Sequence, residues 1–513
     1  MTASTYADAP VRPFPTSSSV VDFFRNQITH NGDPALAGLE EEIIVVDQTG
    51  LPINHNRFQE FLGDFIRALP DGEVIAGPSV HGDIIPVLRG SFAGGLVQPE
   101  TNTTLVELAH APARTAWGCF EQSRDFTRQL MQTASAHALL VLGGGVVPTI
   151  SMEDLLSHDA VIPNADFIYS WTHMTQGTRP EYCRTVFGTA SIHHNMGFND
   201  PDVMARYIST SLRLQPTMIA LLANGPLWNN RLATIGGRQL LSHRSDVLLD
   251  YGNIYGYRDG LDYLYPDFLL DPNATFESIV DGYLDTPLDR TIVGGRKISC
   301  NGMTMREYFA GYSMNGQTHY PDEAALTMMI REPIVDVRPN FTGSAPRVET
   351  RAHDGVSQHV AVSVDAFYRG IAANLGAARV LTSGMDASEV RLARTMTCRQ
   401  GLQTPLFHAD PAITTQQDMA VSLLQIAEDG LLMRGYGEET LLAPLWTLAT
   451  SGKNPAQRLR SVYRQAACNM TKVMRAMDYS NPYFADGTAY PWPSGPSRVT
   501  NTRQVKEALT CNR

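Results

Sequence analysis

The chain has 513 residues, 43% of them hydrophobic and 18% charged, with a formal net charge of -12 at pH 7. This is ordinary globular composition, with room for one large domain or two to three smaller ones. The negative charge, with no Lys/Arg cluster to override it, excludes a nucleic-acid surface, and no apolar run reaches the roughly 18 residues of a membrane helix.

From the N-terminus, residues 1–19 are rich in Ser, Thr and Pro and lack an apolar signal core, so they read as a loose leader. Helical apolar spacing over Val20–Gln27 and again over Phe58–Leu69 brackets the run Gly38-Leu39-Glu40-Glu41-Glu42-Ile43-Ile44-Val45-Val46-Asp47. That run enters a β-branched stretch with no turn, which predicts a strand. Side chains alternate along a strand, so Glu40 and Glu42 share one face and Glu41 takes the other. Two like charges on one face repel, and desolvating them is costly. Either the face is wet, as it is for most Glu-rich runs, or a cation covers it; an oxygen-preferring divalent ion such as Mg2+ or Mn2+ fits best.

Val97–Ala109 reads as a loop carrying Glu100 into the strand Leu105-Val106-Glu107-Leu108. A long amphipathic helix over Ala113–Ala138 leads to the strand Leu139–Leu142 and a tight exit at Gly143-Gly144-Gly145, which no Gly-Lys-Ser/Thr follows. Thr189–Phe198 is strand-like. Asp200–Ala223 is helical, with Asn199 or Asp200 as its cap and Pro216 as a kink site. Tyr251–Asp285 has little periodicity and reads as a lid or a packed surface loop. A short helix over Asp322–Arg331 and a strand over Arg347–Ala352 follow, and beyond Asp354 the pattern is helical almost to Arg475. The mixture predicts an α+β fold with a largely antiparallel sheet.

Three predicted strands place polar side chains at i and i+2: Glu40 and Glu42, His193 and Asn195, Glu349 and Arg351. A fourth supplies Glu107, seven residues after Glu100. In one sheet they would line a surface with carboxylates, one imidazole and one guanidinium. That inventory suits Mg2+ ions sharing ligands with a polyphosphate. Only four lysines occur, Lys297, Lys453, Lys472 and Lys506, so phosphate charge would be met by metal ions and arginines. Six scattered cysteines without a Cys-x-x-Cys pair point to a reduced, cytoplasmic protein.

These segments resemble the glutamate–cysteine ligases and related carboxylate–amine ligases. Gly38-Leu39-Glu40-Glu41-Glu42 is similar to that family's Gly-x-Glu-x-Glu opening, and Glu100 with Glu107 to its second acidic segment. Ser191-Ile192-His193-His194-Asn195 resembles its third strand, and Glu349-Thr350-Arg351-Ala352-His353-Asp354 its Glu-x-Arg-x-x-Asp strand. The matches fall in the family's order across roughly residues 36–380. The resemblance implies a fold related to glutamine synthetase, a curved antiparallel sheet flanked by helices and cradling ATP. It implies metal ligation by Glu40, Glu42, Glu100, Glu107, His193 and Glu349, a catalytic role for Glu349 and Arg351, and ATP contacts from Asn195 and Arg351. His243-Arg244-Ser245-Asp246 resembles the amino-acid-binding stretch, giving Arg244 and Tyr251 to the substrate, although Arg244 also reads as a surface arginine capping a helix. The expected layout is a catalytic domain over 20–400 and a helical C-terminal extension over 401–513.

Two departures concern the acceptor amine. His110 stands where a small polar residue is usual, and Gly143–Pro148 lacks a Gly-x-His-Pro pattern. The implied reaction is ATP-dependent amide formation from small-molecule substrates through an acyl phosphate, with glutamate and cysteine as the first pair. The same chemistry on another acid or amine, a metal-dependent phosphohydrolase and a non-catalytic cation-binding protein are the alternatives. ADP release that requires both acid and amine separates the ligase from them.

Overall fold

Ala37–Asp47 (β1) is the spine of a nine-stranded sheet. The structure, a computed structural model, describes residues 13–14, 16–76, 88–92, 94–100, 102–155, 157, 184–251, 264–300, 302–333, 335–343 and 345–489. The other strands are Glu73–Ala76 (β2), Leu88–Phe92 (β3), Gly95–Pro99 (β4), Leu105–Ala109 (β5), Leu139–Leu142 (β6), Ser191–Gly197 (β7), Val337–Asn340 (β8) and Arg347–Asp354 (β9). Their order is β8-β9-β7-β1-β5-β4-β3-β2, with β6 also paired to β1. Every pairing is antiparallel. The expected α+β fold with a mainly antiparallel sheet and a helical C-terminal part is what the chain adopts.

Register decides which side chains meet. Glu42 lies opposite Glu107, and Glu107 opposite Gln98. Glu40 lies opposite His193, while Glu349 sits between Asn195 and Arg338. Directly opposed residues share a face, so these groups all point to the front of the sheet. The back carries Leu39, Ile43, Leu108, Ile192, Met196 and Val348, all buried. Farther along β1 the front turns apolar too, because Ile44 and Val46 pack with Leu105, Leu142, Met474 and Met477. Burial on both faces accounts for the unbroken Ile43–Val46 run, each such side chain contributing about 1.5–3 kcal/mol.

Helices cover the back. His55–Ala68 (α1) and Ala116–Ala136 (α2) pack Phe58, Phe61, Phe65, Phe126 and Leu130 against Ile43, Val45, Val106 and Val141. Pro201–Leu222 (α3) starts at Asp200, whose side chain accepts from the amides of Asp202 and Val203; Pro216 lies within the helix without ending it. Gln358–Ala373 (α4) packs on β1, β7 and α2, and Gln416–Arg434 (α5) packs on α4. The chain then returns to the sheet. Gly143 donates its amide to Met477 O, and Tyr479 donates its amide to Val141 O.

Three readings need correction. Val97–Ala109 is not a loop entering a strand: Gly95–Pro99 is itself a strand paired with β5, and Glu100 stands at its end. Five residues bounded by glycine and ending in proline are too few for alternation to be read. Of Tyr251–Asp285, residues 252–263 lie outside the described residues. The rest holds two helices, Asp267–Leu270 and Phe276–Asp285, which bury Leu269, Leu270, Phe276 and Ile279. Four- and ten-residue helices give too few turns for a period. Two-residue hairpins at Asn229-Asn230, Gly236-Gly237, Gly294-Gly295 and Asn315-Gly316, every turn residue at positive φ, also escaped that reading.

Candidate functional site

The front of the sheet gathers the predicted polar groups. One carboxylate oxygen each from Glu40 and Glu349 and one ring nitrogen of His193 all lie within 4.8 Å of one another. His193 Nδ1 is 3.2 Å from Glu40 Oε2 and 3.9 Å from Glu349 Oε1, and its Nε2 is 3.7 Å from Glu42 Oε1. Two carboxylates and one imidazole nitrogen converging on a single point suit a hard divalent cation that keeps further oxygen ligands free for water or phosphate. A structural zinc site would instead need four closed N/S ligands.

Glu349 is the most constrained of the set. Arg338 Nη2 donates to its Oε1 at 3.3 Å and its Oε2 at 3.2 Å, and Asn340 Nδ2 donates to Oε2 at 3.0 Å. Arg351 Nη1 stands 3.6 Å from Oε1. Burial alone would push the Glu349 carboxyl up; the charges of Arg338, Arg351 and His193 and the Asn340 bond outweigh it, and the pKa falls far below the usual range. Oε2 is taken up by Arg338 and Asn340, while Oε1, held by Arg338 at 3.3 Å, also faces His193. Burial, with the charge of Arg351, in turn lowers Arg338 to about 10.

Glu100 and Glu107 form a second acidic centre. Burial raises both pKa values, Glu100 well above the ordinary range, and the charges of Glu40 and Glu42 add to the rise. Each carboxyl lies in the field of the other acidic groups, so burial and mutual repulsion disfavour full ionisation of the pair when no cation is bound. Gln98 Nε2 donates to Glu107 Oε2 at 3.1 Å.

Arg244 reaches the site through Arg351. It opens the helix His243–Tyr251 and is only 6% exposed, so it is not a surface cap. Its Nη2 donates to Arg351 O at 2.9 Å, while its buried Nη1 has no hydrogen-bond partner among the described residues. Burial lowers its pKa, and the charges of Glu42 and Asp354 oppose that. Asp354 explains how the arginine is placed. Its carboxylate accepts from Ser242 Oγ and from the Asn224 amide, both at 2.7 Å, pinning the segment just before the helix. A Cβ on Gly145 would lie 2.5 Å from Asp354 Cγ, so the glycine run serves close packing against this carboxylate. The side chain of Tyr251 lies outside the described residues.

Glu41 takes the opposite face. It is buried and accepts from Ser123 Oγ at 3.0 Å, contacts His110 Nε2 at 2.6 Å, and accepts from Tyr479. The unusual His110 therefore answers to Glu41 behind the sheet, not to the front.

Beside the metal-like triad, Arg347 Nε donates to Asn195 Oδ1 at 2.9 Å, and Asn195 Nδ2 donates to Glu40 Oε1 at 2.9 Å. These residues border a cavity of about 210 Å³ whose apolar walls include Leu36, Ala109, Pro112 and Pro346. Sequence reasoning missed Arg338, Asn340, Arg347, Gln98 and Ser191. Arg338 and Asn340 carried the same i, i+2 signal as the strands it did use.

A family model described as "Glutamate-cysteine ligase family 2" matches residues 36–476. Glutamate–cysteine ligase A, chloroplastic, of Oryza sativa subsp. indica is 25% identical over 381 residues, covering 72% of this chain and 70% of that protein. The chloroplastic glutamate–cysteine ligase of Arabidopsis thaliana is 27% identical over 390 residues, covering 74% and 69%. Among solved structures, a glutamate–cysteine ligase from Francisella tularensis in complex with AMP aligns at 12% identity with a TM-score of 0.45, over 93% of this chain and 92% of that one.

Proposed function

The chain belongs to the glutamate–cysteine ligase family 2, and on that premise we propose that it makes γ-glutamylcysteine, joining the γ-carboxylate of glutamate to the amine of cysteine with ATP. The observation that carries this reading is the convergence of Glu40, His193 and Glu349 on one point, with Arg351 beside them on the same face.

A carboxylate oxygen is a poor leaving group, so amide formation needs activation. In the proposed reaction a glutamate carboxylate oxygen attacks the γ-phosphorus of ATP, the bond to the β-phosphate oxygen breaks, and ADP leaves. The cysteine nitrogen then attacks the acyl carbon of the resulting acyl phosphate, inorganic phosphate departs, and the amine gives up a proton. Mg2+ or Mn2+ held by Glu40, His193 and Glu349, with Glu42, Glu100 and Glu107 alongside, would offset the charge of the polyphosphate.

The chain's own residues supply the rest. Arg351 meets the transferring phosphoryl group, and Glu349 holds it in place. Arg244 offers its unpartnered Nη1 to a substrate carboxylate. The cavity beside Asn195 and Arg347 takes the purine, which sets the phosphates over the carboxylates. The helical stretch beyond residue 400 acts as an extension packed on the catalytic part. Among the described residues Cys119, Cys300, Cys398 and Cys468 are free, which supports a reduced, cytoplasmic setting, and no helix is long and apolar enough to cross a membrane.

The test is an ADP-release screen of glutamate and other acids against a panel of amines, with products identified by mass. Release that needs glutamate and cysteine together, with formation of their γ-amide, supports the reading. Phosphate release without any amine would overturn it.

A further inference from the structure

The two nitrogens of His193 face different surroundings. Nδ1 looks towards Glu40 and Glu349, at 3.2 and 3.9 Å. Nε2 lies 2.8 Å from Ser191 Oγ, and the nearest carboxylate oxygen on that side, Glu42 Oε1, is 3.7 Å away. A neutral imidazole has one N–H and one lone pair. If a cation sits among Glu40, His193 and Glu349, Nδ1 must present its lone pair, and the proton must reside on Nε2. That proton needs an acceptor at hydrogen-bond distance. At 3.7 Å Glu42 is too far; Ser191 Oγ is near enough.

We propose that Ser191 is a positioning residue whose hydroxyl oxygen accepts the Nε2 proton of His193, holding the ring in the tautomer that aims Nδ1 at the cation. The inference rests on the metal-binding reading of the site given above. Ser191 is well fixed for the task. It is 1% exposed, it pairs with Asp354 across the β7–β9 ladder, and its amide donates to Glu42 Oε2 at 2.6 Å. One residue thus anchors two of the groups on the front face, through its backbone to Glu42 and through its hydroxyl to His193. Such outer partners set ligand orientation and typically change metal affinity by about 10–100-fold. The Ser191 hydroxyl would act on the cation only through the ring it orients, and Ser191→Ala leaves the amide hydrogen bond to Glu42 in place.

The experiment uses the full chain without nucleotide. Mn2+ binding is titrated by calorimetry for the wild type, Ser191→Ala and Ser191→Thr, and the melting temperature of each is recorded. The His193 ring nitrogens are assigned by 15N NMR in the Mg2+-loaded wild type. We expect Ser191→Ala to weaken Mn2+ binding about tenfold with unchanged melting, Ser191→Thr to recover most of it, and the loaded wild type to show the proton on Nε2. Wild-type-like Mn2+ affinity in Ser191→Ala, or a proton on Nδ1 in the loaded wild type, overturns the inference while leaving the metal site standing. If the wild type binds no Mn2+, the metal reading falls and this inference falls with it. Should Ser191→Ala fail to fold, the wild-type ring signature decides.

Discussion

The phenol of Tyr479 donates its hydrogen bond to the carboxylate of Glu41, a partner 438 positions earlier in the chain. Glu41 lies between the two front-facing glutamates of β1, so the contact ties the returning C-terminal segment to the strand that builds the site. Burial first, then the charge of Glu41, raise the Tyr479 pKa well above its ordinary value, which keeps the phenol protonated as a donor. Tyr479→Phe removes that donor from a buried carboxylate, and loss of a hydrogen bond to a charged group costs about 1.5–3 kcal/mol. The expected result is a lower denaturant midpoint with an unchanged slope, and turnover retained at saturating substrate. An unchanged midpoint would mean that Ser123 and His110 alone satisfy Glu41.

Glu349→Gln and Glu349→Ala should separate two jobs of one residue. The glutamine keeps the shape and an acceptor for Arg338 and Asn340 but removes the charge from the point shared with Glu40 and His193. We expect it to lose Mn2+ binding and ADP release and to melt below the wild type while still folding, because the buried Arg338 loses its counter-charge and breaking a buried ion pair costs about 3–5 kcal/mol. The alanine also removes the acceptor for Arg338 and Asn340, so it should melt lower still. Glu42→Ala, half-buried at the edge of the same group, should abolish turnover with the fold intact. Near-normal ADP release in Glu349→Gln or in Glu42→Ala at saturating Mg2+ would end the ligand assignment.

How much of this was legible beforehand depends on what a period of two can carry. Alternation assigns Glu40 and Glu42 to one face and Glu41 to the other, and the same logic pairs His193 with Asn195 and Glu349 with Arg351. It says nothing about which strand lies beside which. That Glu349 sits between Asn195 and Arg338, and that β4 brings Gln98 to Glu107, follows from strand pairing between residues far apart in the chain. Buried polar contacts behind the sheet were equally out of reach. His110 looked like a departure at the front because nothing local joins it to Glu41, 69 positions away. The hairpins at Asn315-Gly316 and Gly294-Gly295 were readable from their turn residues and were passed over because their strands are only three or four residues long.

Arg244→Lys tests the substrate role with little disturbance of packing. Lysine keeps the charge but loses the planar fork that meets a carboxylate with two parallel bonds. Alanine would also release Arg351 O, which accepts from Arg244 Nη2, and so would mix a substrate effect with a shift of β9. The expected outcome for lysine is a KM for the amino-acid carboxylate raised about tenfold or more, equivalent to about 1.4 kcal/mol, with the KM for ATP changed far less. Equal changes in both constants would sink the role.

His353 should make the fold acid-labile. Its Nδ1 donates to Ile192 O at 3.3 Å, and in the neutral ring its Nε2 accepts from the Tyr368 hydroxyl at 2.7 Å. Burial is the main reason its pKa falls to about 3. The unfolded chain takes up a proton near pH 6.5, whereas the folded chain does not until about pH 3, so the unfolded state binds more protons between those values. Stability is therefore full above about pH 6.5 and is lost as the pH falls towards 3, with about 2 kcal/mol from this residue gone by pH 5. Denaturant unfolding at pH 7 and pH 5 reads it directly: His353→Gln should lose less stability over that interval than the wild type, by about that amount. Equal losses in the two chains would show that the ring is charged in the fold.

Gly38 decides whether the cavity beside Glu40 receives the purine. The residue lies opposite Asn195 on β1 and shares the front face with Glu40, so any side chain placed there points into the space bordered by Asn195 and Arg347. A Cβ on Gly38 would meet only His110 O at 3.6 Å and Pro112 Cα at 3.9 Å, both ordinary contacts. Gly38→Ala should accordingly be tolerated, and the lost backbone freedom of glycine even favours it. Gly38→Leu is different, because its branched end would project into the cavity of about 210 Å³. If the purine binds there, the leucine variant should melt like the alanine variant, raise the KM for ATP about tenfold or more, and leave the KM for the amino-acid carboxylate near the wild-type value. Arg244, hydrogen-bonded to Arg351 O, would then act on one substrate and Gly38 on the other. A leucine variant with wild-type KM for ATP would place the purine elsewhere on the sheet, whatever the fate of the carboxylate cluster.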